Sequence, residues 1–166
     1  MATYRPGNPE SMQIINRLIK NKFSDLREAN VEVGCLFAYA SENSTAPPLS
    51  MNGWPAVAKV RVCSQKDRVA GMPDAQIMVD GEQWKNLRDR QKEALMAHEL
   101  EHLEVQRGEG GTIKEDDCGR PKLKLKLHDF QIGVFKKNIE EYGEDSLDHA
   151  QLSPVAEYIQ KLLPWG

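Results

Sequence analysis

His98-Glu99-Leu100-Glu101-His102 has the residue types and the spacing to hold a metal ion and put it to use. Residues four apart on a helix lie one turn above each other, so both imidazoles can reach one ion. Zinc takes such nitrogen ligands, and Glu99, about 100° around the helix, can reach a water beside it. A catalytic zinc needs a third protein ligand and one open position. His128 is the candidate, because it is one of only four histidines and is expected to open a helix and point inward. His149, in the polar stretch from Asp145 to Gln151, and Glu140 or Glu141, three turns down that helix, are the alternatives. A longer metzincin pattern is excluded, since Val105 and Gly108 stand where its Gly and third His belong. Asp129 is a candidate to orient a ligand imidazole or to cap the helix start.

The elements that must position these residues follow from periodicity. Arg90 to Val105 has no Gly or Pro and is rich in helix formers, which predicts one helix with Asp89 as its cap, ending near Gly108. Leu95 shares a stripe with His98, Glu99 and His102, while Ala97, Glu101 and Glu104 should face solvent. Asn8-Pro9 starts a first amphipathic helix running to about Ala29. Strands are expected at Val31 to Ala40, Ala56 to Cys63 and Ala75 to Val79, the first of them interior. Ser41 to Pro55 and Ser64 to Asp74 read as loops, with Trp54 covering an apolar edge. Glu82 to Arg88 should form one or two helical turns anchored by Trp84 and Leu87.

After Gly108 to Gly111 and the turn Asp116 to Pro121, Lys122 to Leu127 alternates strictly. Leu123, Leu125 and Leu127 should share a buried face, and Lys122, Lys124 and Lys126 a solvated one. A second helix should run from His128 to Tyr142, closed by Gly143. A last short one is expected over Ser153 to Leu163, with Pro164 and Trp165 fraying its end.

Bulk properties bound the function. The chain has 166 residues, 40% apolar and 28% charged, with a formal charge of −3. That suits one soluble domain with a real core. It gives no global reason to expect nucleic-acid binding, although the three lysines at 122, 124 and 126 offer a local patch. No apolar run approaches the length of a membrane span, and the N-terminal stretch does not resemble a signal peptide. Cys35, Cys63 and Cys118 form no C-x-x-C pair. They suggest free thiols in a cytoplasm, although Cys35 and Cys63 could lie on adjacent strands.

The stretches Lys66-Asp67-Arg68, Asp74 to Trp84, Glu93 to Val105, Gly119 to Leu123, His128-Asp129-Phe130 and Tyr142-Gly143 resemble the putative phage metallopeptidase family. The likeness covers roughly Val31 to Gly143 and is most specific at the H-E-L-x-H and H-D-F blocks. It is similar, more loosely, to the SprT-like zinc proteases. The resemblance implies an α+β fold, a minimal zincin-like domain. Its parts would be an N-terminal helix, a small twisted sheet, the active-site helix behind it and C-terminal helices. One domain would then span 1–166, with a core of about 9–143 and a helical extension over 144–166.

The expected function is a zinc-dependent metallopeptidase of a bacterial or phage-infected cytoplasm, acting on a peptide or protein. Its metal would sit on His98, His102 and His128, with Glu99 as general base. An extended peptide would pair with Ala75 to Val79, expected to be an edge strand. Tyr142, His149 and Arg68 are chemically able to stabilise an oxyanion. The competing expectations are a zinc-binding interaction module without catalysis and an SprT-like protease acting on DNA-associated protein.

Overall fold

Alternation of small and β-branched residues builds a four-stranded sheet, on which the helix bearing the histidines rests. The computed structural model describes residues 1–128 and 134–162, apart from the side chains of 158, 159, 161 and 162. The sheet comprises β1 (Thr3–Pro6), β2 (Val33–Tyr39), β5 (Ala58–Val62) and β6 (Ala75–Asp80), in the order β1-β2-β6-β5. β2 runs parallel to β6, and β1 and β5 are antiparallel to their neighbours. The sheet therefore starts one strand earlier than expected, because Thr3–Pro6 adds an edge to β2. β2 is interior, as its apolar faces predicted.

The expected edge strand is not at an edge. Every residue of β6 is buried between two partners, and the sheet's edges belong to β1 and β5. The sign was the alternating Lys59 and Arg61, which suit a strand with one open side. Gln76 and Asp80 are tolerated inside β6 because each has a hydrogen-bonding partner. Gln76 accepts from Arg61, and Asp80 caps α4 (Gly81–Lys85) by accepting from Glu82 and Gln83 N–H.

Helix α1 (Pro9–Asn21) begins where Asn8 and Pro9 predict, with the Asn8 side chain accepting from Ser11 N–H. It ends sooner than expected. Phe23 turns toward the core, and α2 (Ser24–Glu28) restarts at a new angle with Leu26 buried. The region between β2 and β5 forms a two-stranded hairpin, β3 (Ser50–Met51) with β4 (Trp54–Pro55). Its turn residues Asn52 and Gly53 both have positive φ, as a type I′ turn requires. Trp54 is 77% exposed there and covers no edge. The second expected loop contains α3 (Gln65–Val69), started by a Ser64–Asp67 capping box.

Helix α5 (Asp89–Glu101) carries the histidines. Its cap position is Arg88 rather than Asp89, and it ends with His102 as C-cap. Leu103 and Val105 fit a helical period and a strand period equally well. Pairing decides, because β7 (Leu103–Val105) lies antiparallel to β8 (Leu123–Leu125). Ala97 is buried, so the expected solvated side is absent from the second half of α5. That half is enclosed by β5 on one side and by α6 (Lys136–Tyr142) and α7 (Leu147–Leu162) on another.

Only Leu123 of the alternating leucines is buried; Leu125 and Leu127 are exposed. Beyond Leu125 no strand continues to cover that face. Lys124 and Lys126 pair with Glu104 and Glu101. The cysteines are free; Cys35 and Cys63 are separated by β6 and its flanking pairings. The expected Ser153 helix starts earlier, at Leu147, and Pro164 and Trp165 lie outside the described residues. No described helix is long and apolar enough to cross a membrane.

The long β7–β8 connection is held to the sheet by a charge cluster around Asp74, which is fully buried. Asp74 accepts from Glu32 N–H and from two Arg120 nitrogens, and Arg68 lies 3.8 Å away. Arg68 also donates to the Pro121 carbonyl and pairs with Asp116 at 3.0 Å. Removing one partner of a buried ion pair strands the others in a poor solvent. We expect Asp74→Asn to lower the unfolding free energy by about 3 kcal/mol in a urea titration. An unchanged midpoint would show that the cluster contributes nothing to stability.

Candidate metal centre

The two helical imidazoles reach the site from α5 one turn apart. His98 sits in the last full turn, and His102 keeps helical angles at the C-cap, so the four-residue spacing still stacks them. The third comes from the strand side. His128 follows β8 in a segment with no regular structure; residues 129–133, over which the expected helix would run, lie outside the described ones, and the described helix α6 begins at Lys136. Even so, ligand atoms of His98, His102 and His128 all lie within 4.8 Å of one another. The Nε2 atoms of His98 and His128 are 3.2 Å apart. Nitrogens about 2.0–2.1 Å from one tetrahedral ion would be separated by about 3.4 Å. The donor set and its spacing therefore fit a divalent metal of the zinc type.

Two of the rings are oriented by their other nitrogen. His102 Nδ1 is 2.7 Å from the Lys126 carbonyl, which accepts its proton and turns Nε2 toward the cluster. His98 Nδ1 is 3.1 Å from both oxygens of Asp148, near the start of α7. Asp148 is itself almost completely buried and fully engaged. It accepts from Phe135 N–H at 2.6 Å and from Asn138 Nδ2 at 2.9 Å. Ser146, which accepts from Asp148 N–H, starts the helix that brings it there. The ring of Phe135, buried, backs all three imidazoles with centroids 4.8, 4.9 and 5.2 Å away. It excludes water behind the cluster.

Electrostatics follow from this enclosure. Burial opposes charge on His98, but the hydrogen bond to Asp148 and the surrounding carboxylates outweigh it and raise its pKa. At His102 burial prevails and lowers the pKa, which favours the neutral form that binds metal. Burial acts against the charge on Asp148, yet the His98 hydrogen bond and its other donors keep its pKa below the usual carboxylate value. Glu99 is the contrast. Burial, with the Asp148 charge adding to it, pushes its carboxyl up to about 7, against the pull of His98 and the Val60 backbone N–H. Its Oε2 is buried without a hydrogen-bond partner. A buried acceptor left so is costly, and such cost is tolerated where chemistry needs the group.

The other expected site residues lie elsewhere. Tyr142 is buried with its hydroxyl accepting from Lys22 and its ring under the Lys22 and Arg90 cations. Arg90 precedes His98 by eight residues, about 12 Å along a helix. Arg68 belongs to the Asp74 cluster. Glu140 pairs with Lys136, Glu141 with Lys22, and His149 lies beside Ser153. Asp129 lies outside the described residues.

Sequence reasoning missed Asp148, Phe135 and the Lys126 carbonyl. Asp148 had one legible sign, a serine two residues earlier suited to starting a helix. Its aim at His98 depends on how α7 packs.

Loss of such a carboxylate partner typically costs roughly 10–100-fold in metal affinity. We expect that loss in Asp148→Asn, read by chelator competition, with thermal unfolding of the metal-free protein as the control. Wild-type affinity in the variant would reduce Asp148 to a helix-packing residue.

A family model described as "Putative phage metallopeptidase" matches residues 7–163. Neither the curated proteins nor the solved structures provide a match. The α+β architecture is that of a zincin-like domain, its histidine cluster suits a divalent metal, and the chain belongs to the putative phage metallopeptidase family.

Proposed function

We propose that the protein is a zinc-dependent peptidase, built as a single zincin-like domain and working in the cytoplasm of a bacterial or phage-infected cell. The observation that carries this reading is the buried Glu99 carboxylate, with its Oε2 left without a partner, next to one of three converging imidazoles. A purely structural site has no use for a base there, and its ligands tend to number four. His98, His102 and His128 would hold the ion. When bound, zinc supplies a Lewis acid that brings a water's pKa from 15.7 to roughly 7 and polarises the scissile carbonyl.

The remaining work falls to the chain itself. Glu99 takes the proton of the attacking water at its open oxygen and passes it to the leaving amine nitrogen. Asp148 and the Lys126 carbonyl hold His98 and His102 in the right tautomer and orientation. Phe135 keeps water from the rear of the site.

The substrate main chain is placed by β5. Val57 O accepts from Asp80 N–H and Cys63 N–H donates to Asp74 O, so odd-numbered residues turn their backbone groups toward β6. Ala58, Val60 and Val62 therefore turn theirs away from β6, the Val60 N–H toward the Glu99 carboxyl and the groups of Ala58 and Val62 toward the edge. An extended peptide pairing there lies alongside Glu99, in the role expected of β6.

Metal content and hydrolysis test this reading together. Elemental analysis should find about one zinc per chain in the native protein and in Glu99→Gln, and clear loss in His128→Ala. Cleavage of a proteome-derived peptide mixture should fall by roughly 100-fold or more in Glu99→Gln. Native protein that neither retains nor takes up zinc would overturn the proposal.

A further inference from the structure

The second glutamate of His98-Glu99-Leu100-Glu101-His102 has no part in the chemistry proposed above, and helical periodicity assigns it to solvent. Yet its side chain is only 13% exposed. Two ammonium groups meet it there, Lys126 Nζ at 3.6 Å from one carboxylate oxygen and Lys137 Nζ at 3.3 Å from the other. An anion so far withdrawn from water needs such partners. Held by two cations, it forms a network rather than a lone surface pair. The two lysines come from different parts of the chain. Lys126 follows β8 and stands two residues before His128; Lys137 lies in the first turn of α6, two residues after Phe135. Both lead to the histidine cluster. The Lys126 N–H donates to the His102 carbonyl at 2.6 Å, and its own carbonyl accepts from His102 Nδ1 at 2.7 Å. The chain is thus fixed just upstream of His128, with only Leu127 between. The Lys126 ammonium also stands 5.3 Å from the centre of the Phe135 ring, which backs all three imidazoles. Lys137 lies 5.3 Å over the ring of Phe23, so it is held between Glu101 and that ring.

We propose that Glu101 is a positioning residue for the metal centre. Its carboxylate clamps two arms to the end of α5, the segment that delivers His128 and the helix that follows Phe135. It thereby sets how the three imidazoles stand relative to one another. This rests on the reading of those imidazoles as metal ligands. A clamp is separable from a simple charge effect, because the two predict opposite signs at Lys126. If Glu101 acted through its negative charge alone, deleting the nearby Lys126 cation would tighten the hold on a dication. Acting as a clamp, the pair weakens that hold when either member is lost, because the Lys126 backbone orients His102.

The test uses the full-length protein and its variants Glu101→Gln, Lys126→Met and the double variant. Zinc affinity is read by chelator competition at a temperature where each metal-free protein is folded. Glu101→Gln should bind zinc roughly tenfold more weakly and Lys126→Met roughly threefold. The double variant should be about as weak as Glu101→Gln alone, since the two act on one contact. Cobalt-loaded Glu101→Gln should differ from the native protein in visible absorption, which a residue that only stabilises the fold would leave unchanged. In the metal-free protein, the Lys126 amide should exchange with deuterium roughly tenfold faster in Glu101→Gln. Native zinc affinity or an unchanged cobalt spectrum in Glu101→Gln would overturn the proposal and leave the peptidase reading standing. Tighter zinc binding by Lys126→Met would overturn it in favour of a charge effect. That variant alters a half-exposed side chain and decides the matter alone if Glu101→Gln does not fold. Native protein that takes up neither metal would overturn the peptidase reading. The Lys126 amide then decides the clamp, sustaining it if exchange quickens in Glu101→Gln and overturning it if exchange does not.

Discussion

The hydrogen bond between Asp148 and His98 joins more of this molecule than any other contact at the site. A single buried carboxylate receives a ring nitrogen from α5, the amide of Phe135 and the side chain of Asn138 on α6. It stands in the first turn of α7. Burying an anion without partners would cost several kcal/mol, so its donors have to be in place together. Docking of the two C-terminal helices and orientation of the ligand imidazole are thus one event. The segment after Gly143 is consequently tied to the site. The His98 ring on α5 takes its Nδ1 partner from it.

The same enclosure explains why two carboxylates close together have opposite characters. Asp148 is surrounded by donors and held ionised; Glu99 is buried with one oxygen left without a hydrogen-bond partner. Environment, rather than residue type, assigns the roles. One carboxylate fixes a ring; in the proposed peptidase the other would carry the proton. A dication beside Glu99 would favour its ionised form, which is the form a general base needs.

Much of this was legible in the sequence, for reasons that can be named. The H-E-x-x-H spacing depends only on helical geometry over one turn, and a helix of Ala, Leu, Glu and Lys is reliable locally. Asn8-Pro9 was readable because capping is a matter of adjacent residues. Three features were not legible. Leu103 and Val105 satisfy two periods at once, so the end of α5 was settled by a partner strand twenty residues away. β6 was expected at an edge from the zincin-like fold that the resemblance implies, whereas its rank in the sheet is a property of the neighbours. How His128 reaches the cluster was not legible either: it does so from the segment after β8, and residues 129–133, over which its expected helix would run, lie outside the described ones.

That last difference shifts attention to what holds His128 in place. A histidine on a helix is positioned by the helix; one beyond a short strand is positioned by whatever fixes the strand. Among the described residues β8 has only β7 as a ladder partner, over three residue pairs. A two-stranded ribbon of that size is marginal alone. Its outer end is pinned through Pro121 to Arg68 and through Arg120 to Asp74, and its inner end through the Lys126 carbonyl to His102. The charge cluster at one end of the sheet therefore supports the third imidazole at the other. Arg68, which sequence alone placed among the chemically able residues of the site, acts on it from a distance by holding the strand that delivers the imidazole.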